Sequence, residues 1–282
     1  MTNPEFLISA YDVRIPRIIY GTAWKKDRTA ELVEQAISLG FRGIDTACQP
    51  KHYNEAGVGD GVSVCLERGL KREELYLQSK FTSLDGHDPL QIPYDAKASL
   101  SEQVAQSFQR SLLNLRTPYL DSLILHSPLP EPQQLLEVWR ALELIFKNGG
   151  VRQLGISNCY NLNQLSFLYD EVEIKPAVLQ NRFYADSHYD REIRKFCKNQ
   201  HIIYQSFWTL TANPQLLADD HVRHLATQYQ RTPEQIFYRF LTQLGIVPLT
   251  GTTSAHHMLE DLAIFDFELR EDECGRLRAL LG

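Results

Sequence analysis

The chain has 282 residues, 43% hydrophobic and 23% charged, with a net charge of −6 at pH 7. That is ordinary for a globular protein with a sizeable core, and it offers no electrostatic footprint for nucleic acid or an anionic membrane. The scattered Cys48, Cys65, Cys159, Cys197 and Cys274 form no CxxC pair, which argues against a disulfide framework and against a zinc site.

No apolar run approaches the ~20 residues that span a bilayer, and the opening MTNPEFLISA lacks the basic and apolar regions of a secretory signal. A reduced cytoplasmic protein is expected, in one domain over residues 1–282 and as a monomer.

Taken in order, residues 6–20 predict a hairpin around Ala10-Tyr11-Asp12, then a strand ending at Gly21. Thr29 to Leu39 sets Val33, Ala36 and Ile37 on one helical face, with Gly40 as its stop. Strand Phe41–Ala47 carries Asp45 near its end, followed by a polar loop to Tyr53 and a helix over Asn54–Arg68. Strand Leu75–Phe81 contains Lys80, and the loop of about 16 residues after it, Thr82–Lys97, has the length of a lid or binding loop. A helix from Ser99 follows, then strand Tyr119–His126 and helix Glu131–Asn148. Strand Val151–Ser157 leads to Asn158, helix Leu162–Tyr169 and strand Ala177–Phe183 with Gln180. Helix Asp190–Asn199, strand His201–Phe207 and a single helix Pro214–Tyr229 come next. Thr232-Pro233-Glu234-Gln235 reads as a capped helix start. Strand Ile246–Leu249 and a closing helix Glu271–Leu281 complete the chain, with a short helix holding His256 and His257 between them.

Strand and helix thus alternate eight times, which implies parallel strands joined by crossover helices. In this length a (β/α)8 barrel (TIM barrel), with an N-terminal hairpin and a C-terminal helix, closes more naturally than an open sheet. An open dinucleotide-binding sheet would also carry GxGxxG at its first turn, and none is present. In a barrel the strand ends converge on one mouth, bringing together Asp45, Lys80, His126, Ser157, Asn158 and Gln180, with Tyr53 on the loop beside them. A carboxylate-held ammonium against a phenol lowers the phenol's pKa, and a neutral imidazole can direct a substrate oxygen. Each residue also has a bland reading, as helix cap, rim cation, core histidine or packed ring; their joint occurrence at strand ends favours the proton-handling one.

GTAW at 21–24, GFRGIDTA at 40–47, LQSKF at 77–81, LDSLILHSP at 120–128, GISN at 155–158, QNRF at 180–183 and FDFEL at 265–269 resemble the aldo-keto reductase superfamily. The resemblance implies a barrel that binds a nicotinamide nucleotide, NADP (NADPH) with NAD as the alternative, and reduces a small carbonyl compound. By matching position Tyr53 is the acid, Lys80 and Asp45 its pKa-lowering pair, and His126 the carbonyl-orienting group. Ser157, Asn158 and Gln180 would hold the carboxamide, and Asp45 would lie near the nicotinamide ribose. The wider nucleotide set is Gly21, Thr22, Gln205, Ser206, Phe207, Thr250, Gly251, Thr252, His257 and Asp261. A nucleotide-binding regulatory subunit with slow turnover is the alternative.

Three departures stand out. The gap from Asp45 to Tyr53 is eight residues where the superfamily has five, and it reads as three inserted residues. The nicotinamide-stacking Tyr is replaced by Gln205, with Phe207 and Trp208 adjacent. The Lys and Arg that grip the 2′-phosphate are missing, with Leu249 and His257 near their slots, so the NADPH preference is expected to be modest and to widen as pH falls. Specificity is expected from Trp24, the segment 82–97, residues 128–130 and Trp208 onward. The chain ends at Gly282 soon after its last helix, which reads as a short substrate loop and an open pocket.

Overall fold

The computed structural model describes residues 6–282; residues 1–5, part of the stretch read for a signal, lie outside the described residues. Phe6–Ile8 (β1) and Arg14–Pro16 (β2) pair antiparallel as the expected hairpin. The barrel strands are Ile19–Gly21 (β3), Gly43–Asp45 (β4), Tyr76–Phe81 (β5), Ser122–Leu125 (β6), Leu154–Ser157 (β7), Val178–Arg182 (β8), Ile203–Phe207 (β9) and Val247–Thr250 (β10). They close in sequence order, β10 pairing with β3, and every barrel pairing is parallel. This is the (β/α)8 barrel predicted from the alternation.

The helices form the outer layer: Thr29–Leu39 (α1), Glu55–Glu67 (α2), Leu100–Leu115 (α3), Pro132–Lys147 (α4), Leu162–Glu171 (α5), Arg191–Asn199 (α6), Pro214–Leu217 (α7), Asp220–Tyr229 (α8), Pro233–Gln243 (α9), Ala255–Leu262 (α10) and Glu271–Ala279 (α11). Their starts follow local chemistry. Ser99 and Thr232 make reciprocal capping boxes with Glu102 and Gln235, and Asn54 accepts from the Gly57 amide at 2.9 Å. Gly40, at φ 125°, ends α1 in a conformation that costs a side chain dearly.

One helix departs from expectation: Pro214–Tyr229 is two helices. Asp219 accepts from the His221 amide at 2.8 Å and so caps a new start, breaking the run at Ala218-Asp219. The apolar residues divide between two layers. One core lies mainly between helices and strands; the other joins Val13 and Ile15 of the hairpin segment to Ile19, Tyr76, Ile124, Val178 and Val247 at the barrel base. The hairpin therefore plugs the N-terminal end, leaving the C-terminal mouth open. Among the described residues no helix is long and apolar enough to cross a membrane.

The segment 82–97 is no lid. After a short turn over Leu84–Gly86 it folds inward, where the Tyr94 hydroxyl and His87 Nε2 both donate to the Thr82 carbonyl, at 2.8 and 3.0 Å.

Candidate active site

The mouth holds a cavity of about 900 Å³, running from Trp24, His52, Tyr53 and His126 to His257, Glu260 and Asp261. Beneath it the barrel interior is polar. Asp45 Oδ2 accepts from the Lys80 ammonium at 2.6 Å, and Oδ1 accepts from the side-chain amides of Gln78 and Gln180 at 2.7 and 3.0 Å. Both amides also donate to Gln205 Oε1, at 2.8 and 2.9 Å. Because a carboxylate only accepts, it forces Gln180 to point its N–H groups inward. The Gln180 carbonyl oxygen is the amide atom left for the cavity.

The sequence could place Asp45, Lys80 and His126 because strand ends of parallel neighbours meet. Lys80 is 1% exposed, and besides Asp45 it donates to the Thr46 carbonyl at 2.9 Å. Its nitrogen lies 5.1 Å from the Tyr53 ring centre, and the His126 ring is 6.0 Å from that of Tyr53. Burial disfavours the Lys80 ammonium, yet Asp45 and Tyr53 outweigh it and hold the pKa above its ordinary value. Burial pushes the Tyr53 phenol up, and Lys80 opposes that rise without cancelling it. The expected net lowering is therefore corrected: Lys80 restrains a rise, because desolvation is the larger effect. Burial, with Lys80 adding to it, holds His126 well below the usual imidazole range, so the ring is neutral at physiological pH. Its Nδ1 meets the Thr82 hydroxyl at 2.7 Å.

A clamp behind the site positions these groups. Glu55, two residues after Tyr53 and buried, accepts from Ser79, the neighbour of Lys80, and from Ser111 and Asn114 of α3 at 2.9 Å each. In the loop before Tyr53, Gln49 donates to the Gly86 carbonyl at 2.6 Å.

Further along the cavity, Ser157 donates to the Gln180 backbone carbonyl at 2.6 Å, leaving the Gln180 side-chain oxygen free, and Asn158 donates to the His126 backbone carbonyl at 2.8 Å. Gly21, Asp45, Ser157, Asn158, Gln180, Phe207, Thr250, Gly251, Thr252, His257 and Asp261 all line it. Thr22, Gln205 and Ser206 do not. Thr22 is fully buried, with its amide and hydroxyl both on the Asp45 carbonyl. Gln205 is locked beneath the cavity by Gln78 and Gln180, and Ser206 is turned to Thr209 at 2.9 Å. Residues 82–97 and 128–130 are likewise absent from the lining, whereas Trp24 and Trp208 are part of it.

Two lining cations escaped the sequence reading. The Lys25 ammonium crosses from the β3 end to the Gly251 carbonyl after β10; barrel closure makes neighbours of these ends, a contact no local pattern reveals. Burial, with Arg28 nearby, lowers its pKa. Arg182 stands two residues beyond Gln180, a spacing that would have found it, since alternate strand residues share a face. At the far end, Asp261 accepts from the Thr250 hydroxyl at 2.7 Å, and burial raises its carboxyl to about 7. Among the described residues no cluster of His, Cys, Asp and Glu is arranged to hold a metal, and the five cysteines are free and buried.

The closed parallel barrel brings a phenol, an ion-paired ammonium and a neutral imidazole to one cavity at its mouth, an arrangement chemically able to handle a proton. The profile of the Aldo/keto reductase family matches residues 17–281. The uncharacterized oxidoreductase YtbE of Bacillus subtilis (strain 168) is 33% identical over 249 residues, 88% of this chain and 82% of that protein. Glyoxal reductase of the same organism is 32% identical over 255 residues, 90% of this chain and 84% of its own. The crystal structure of an aldo/keto reductase from Brucella melitensis matches with a TM-score of 0.83 at 24% identity, over 98% of both chains. The chain belongs to the aldo/keto reductase family.

Proposed function

We propose that this chain is an NADPH-dependent reductase of small aldehydes and ketones with Tyr53 as its general acid. One observation carries the reading: Tyr53 and His126 flank one end of a cavity in which Ser157, Asn158 and Gln180 also converge. The free Gln180 carbonyl oxygen and the Ser157 hydroxyl fit a carboxamide. A nicotinamide held by Ser157, Asn158 and Gln180 would supply the hydride that reduces the substrate carbonyl. The chain's residues do the rest. With the Thr82 hydroxyl donating to Nδ1, neutral His126 carries its proton on Nε2 and can orient the carbonyl oxygen. Tyr53 gives its proton to that oxygen, and Lys80, held by Asp45, stabilises the phenolate that remains.

Lys25, with Thr252 and the start of α10, supports a phosphate at the adenosine end, hence NADPH over NADH. Relatives named glyoxal reductase in Bacillus subtilis and methylglyoxal reductase in Yersinia pestis favour small α-oxoaldehydes as substrates. A monomer acting on free small molecules is the assembly we propose. Steady-state NADPH oxidation with methylglyoxal and 4-nitrobenzaldehyde tests the function. Turnover supports it; nucleotide binding with no turnover of either would favour a regulatory subunit.

A further inference from the structure

We infer that Arg182 is an oxyanion receptor on the cavity wall and that the oxyanion is the nucleotide's diphosphate. The inference rests on the proposed function. Arg182 is the last residue of β8, in register with Phe207 of β9. It follows Gln180 on the same face, one pleat nearer the mouth. Its guanidinium carbon lies 4.1 Å from the Trp208 ring centre and 5.3 Å from that of Tyr184, so two aromatic faces fix its plane. The Arg182 backbone amide donates to the Tyr160 hydroxyl at 3.0 Å, which keeps a third ring beside it.

Among the described residues the guanidinium has no carboxylate partner, and its Nε is shielded from solvent without a hydrogen-bond acceptor. The four acids that line the cavity are otherwise placed. Asp45 is paired to Lys80, and Glu234, Glu260 and Asp261 belong to α9 and α10. A half-buried arginine on a cavity wall, held flat by aromatic rings and without a carboxylate partner, is a site for a planar or tetrahedral oxyanion.

Its position names the occupant. The carboxamide fit is on β7 and β8, and the adenosine end on β10 and α10, so a nucleotide joining them passes over the end of β9. Trp208, under the guanidinium, immediately follows β9. The other source of the same chemistry is a carboxylate on the substrate.

The test is Arg182→Leu, with Arg182→Lys as a second variant and the unfolding temperature of each as a check on folding. NADPH binding is read by quenching of intrinsic fluorescence, beside 2′-AMP, which has adenosine and a 2′-phosphate but no diphosphate. Loss of charge-assisted bonds should weaken NADPH about 10- to 100-fold in Arg182→Leu, leave 2′-AMP unchanged, and produce a smaller loss in Arg182→Lys. The substrate arm compares kcat/KM for 4-carboxybenzaldehyde and 4-nitrobenzaldehyde. A fall confined to the carboxylate, with NADPH affinity intact, assigns the oxyanion to the substrate and overturns the diphosphate. No change in either arm, or equal weakening of NADPH and 2′-AMP, overturns the receptor. If Arg182→Leu does not fold, Arg182→Lys decides by the same comparison. Binding is read without turnover, so a protein that binds NADPH and reduces nothing fails the proposed function yet still answers this question.

Discussion

Gln180 donates to Asp45 across the barrel interior at 3.0 Å, and the bond decides which end of its amide meets the cavity. The carboxylate that holds Lys80 thus also presents the amide oxygen fitted to the carboxamide. In the proposed reaction one buried charge would order both nucleotide and acid, so changes at Asp45 should affect both nucleotide affinity and turnover.

Tyr53→Phe should abolish carbonyl reduction while leaving NADPH affinity nearly intact, since only the proton donor is lost. A drop of roughly 10²-fold or more in kcat is expected. Activity within a few-fold of wild type would assign the acid to another group.

Lys80→Met should reduce kcat strongly and move the alkaline limb of the kcat–pH profile upward. Burial alone already raises the phenol, and Lys80 is what restrains it. An unshifted limb would leave Lys80 a structural partner of Asp45.

Lys25→Met should shrink the ratio of kcat/KM for NADPH to that for NADH by about tenfold, the worth of one charge-assisted bond. From the sequence no fixed cation is expected here: the backbone amides and hydroxyls of residues 251–254 would hold the phosphate, with His256 and His257 adding attraction when protonated. A ratio that survives in Lys25→Met but falls in His257→Ala would restore that reading.

Asp261→Asn should stabilise the nucleotide-free protein more at pH 8 than at pH 5. The folded carboxyl titrates near 7, above its ordinary 3.8. Its folded-state stability is therefore complete below about 4, falls as pH rises through 7, and is flat beyond. The asparagine keeps the acceptor for Thr250 and avoids the buried charge. Thermal unfolding at both pH values reads the difference, expected at a few degrees; equal gains would mean that the charge is solvated.

The barrel and the convergence of the proposed catalytic side chains on its mouth were legible because strand ends are local features and parallel closure does the rest. Asp45, Lys80 and His126 need only their own strands to be recognised. Gln205 was misplaced because its partner Gln78 lies 127 residues away on the far side of the barrel. Lys25 was missed for the same reason, 226 residues from Gly251. Length alone suggested a lid over 82–97, but length does not say which way a loop faces; Tyr94 and His87 turn it inward. The break in Pro214–Tyr229 was readable in principle, since Asp219 is an acceptor at the start of a helical run.

The clamp at Glu55 has a consequence for the eight-residue stretch from Asp45 to Tyr53. Tyr53 is tethered from downstream, through Glu55 to Ser79, Ser111 and Asn114. Upstream, the extra residues are folded into a turn in which the His52 and Tyr53 amides donate to the Gln49 carbonyl, at 3.2 and 3.1 Å, while Gln49 ties to Gly86. The phenol is thus held from both sides, and the longer reach from Asp45 ends in a turn of fixed shape.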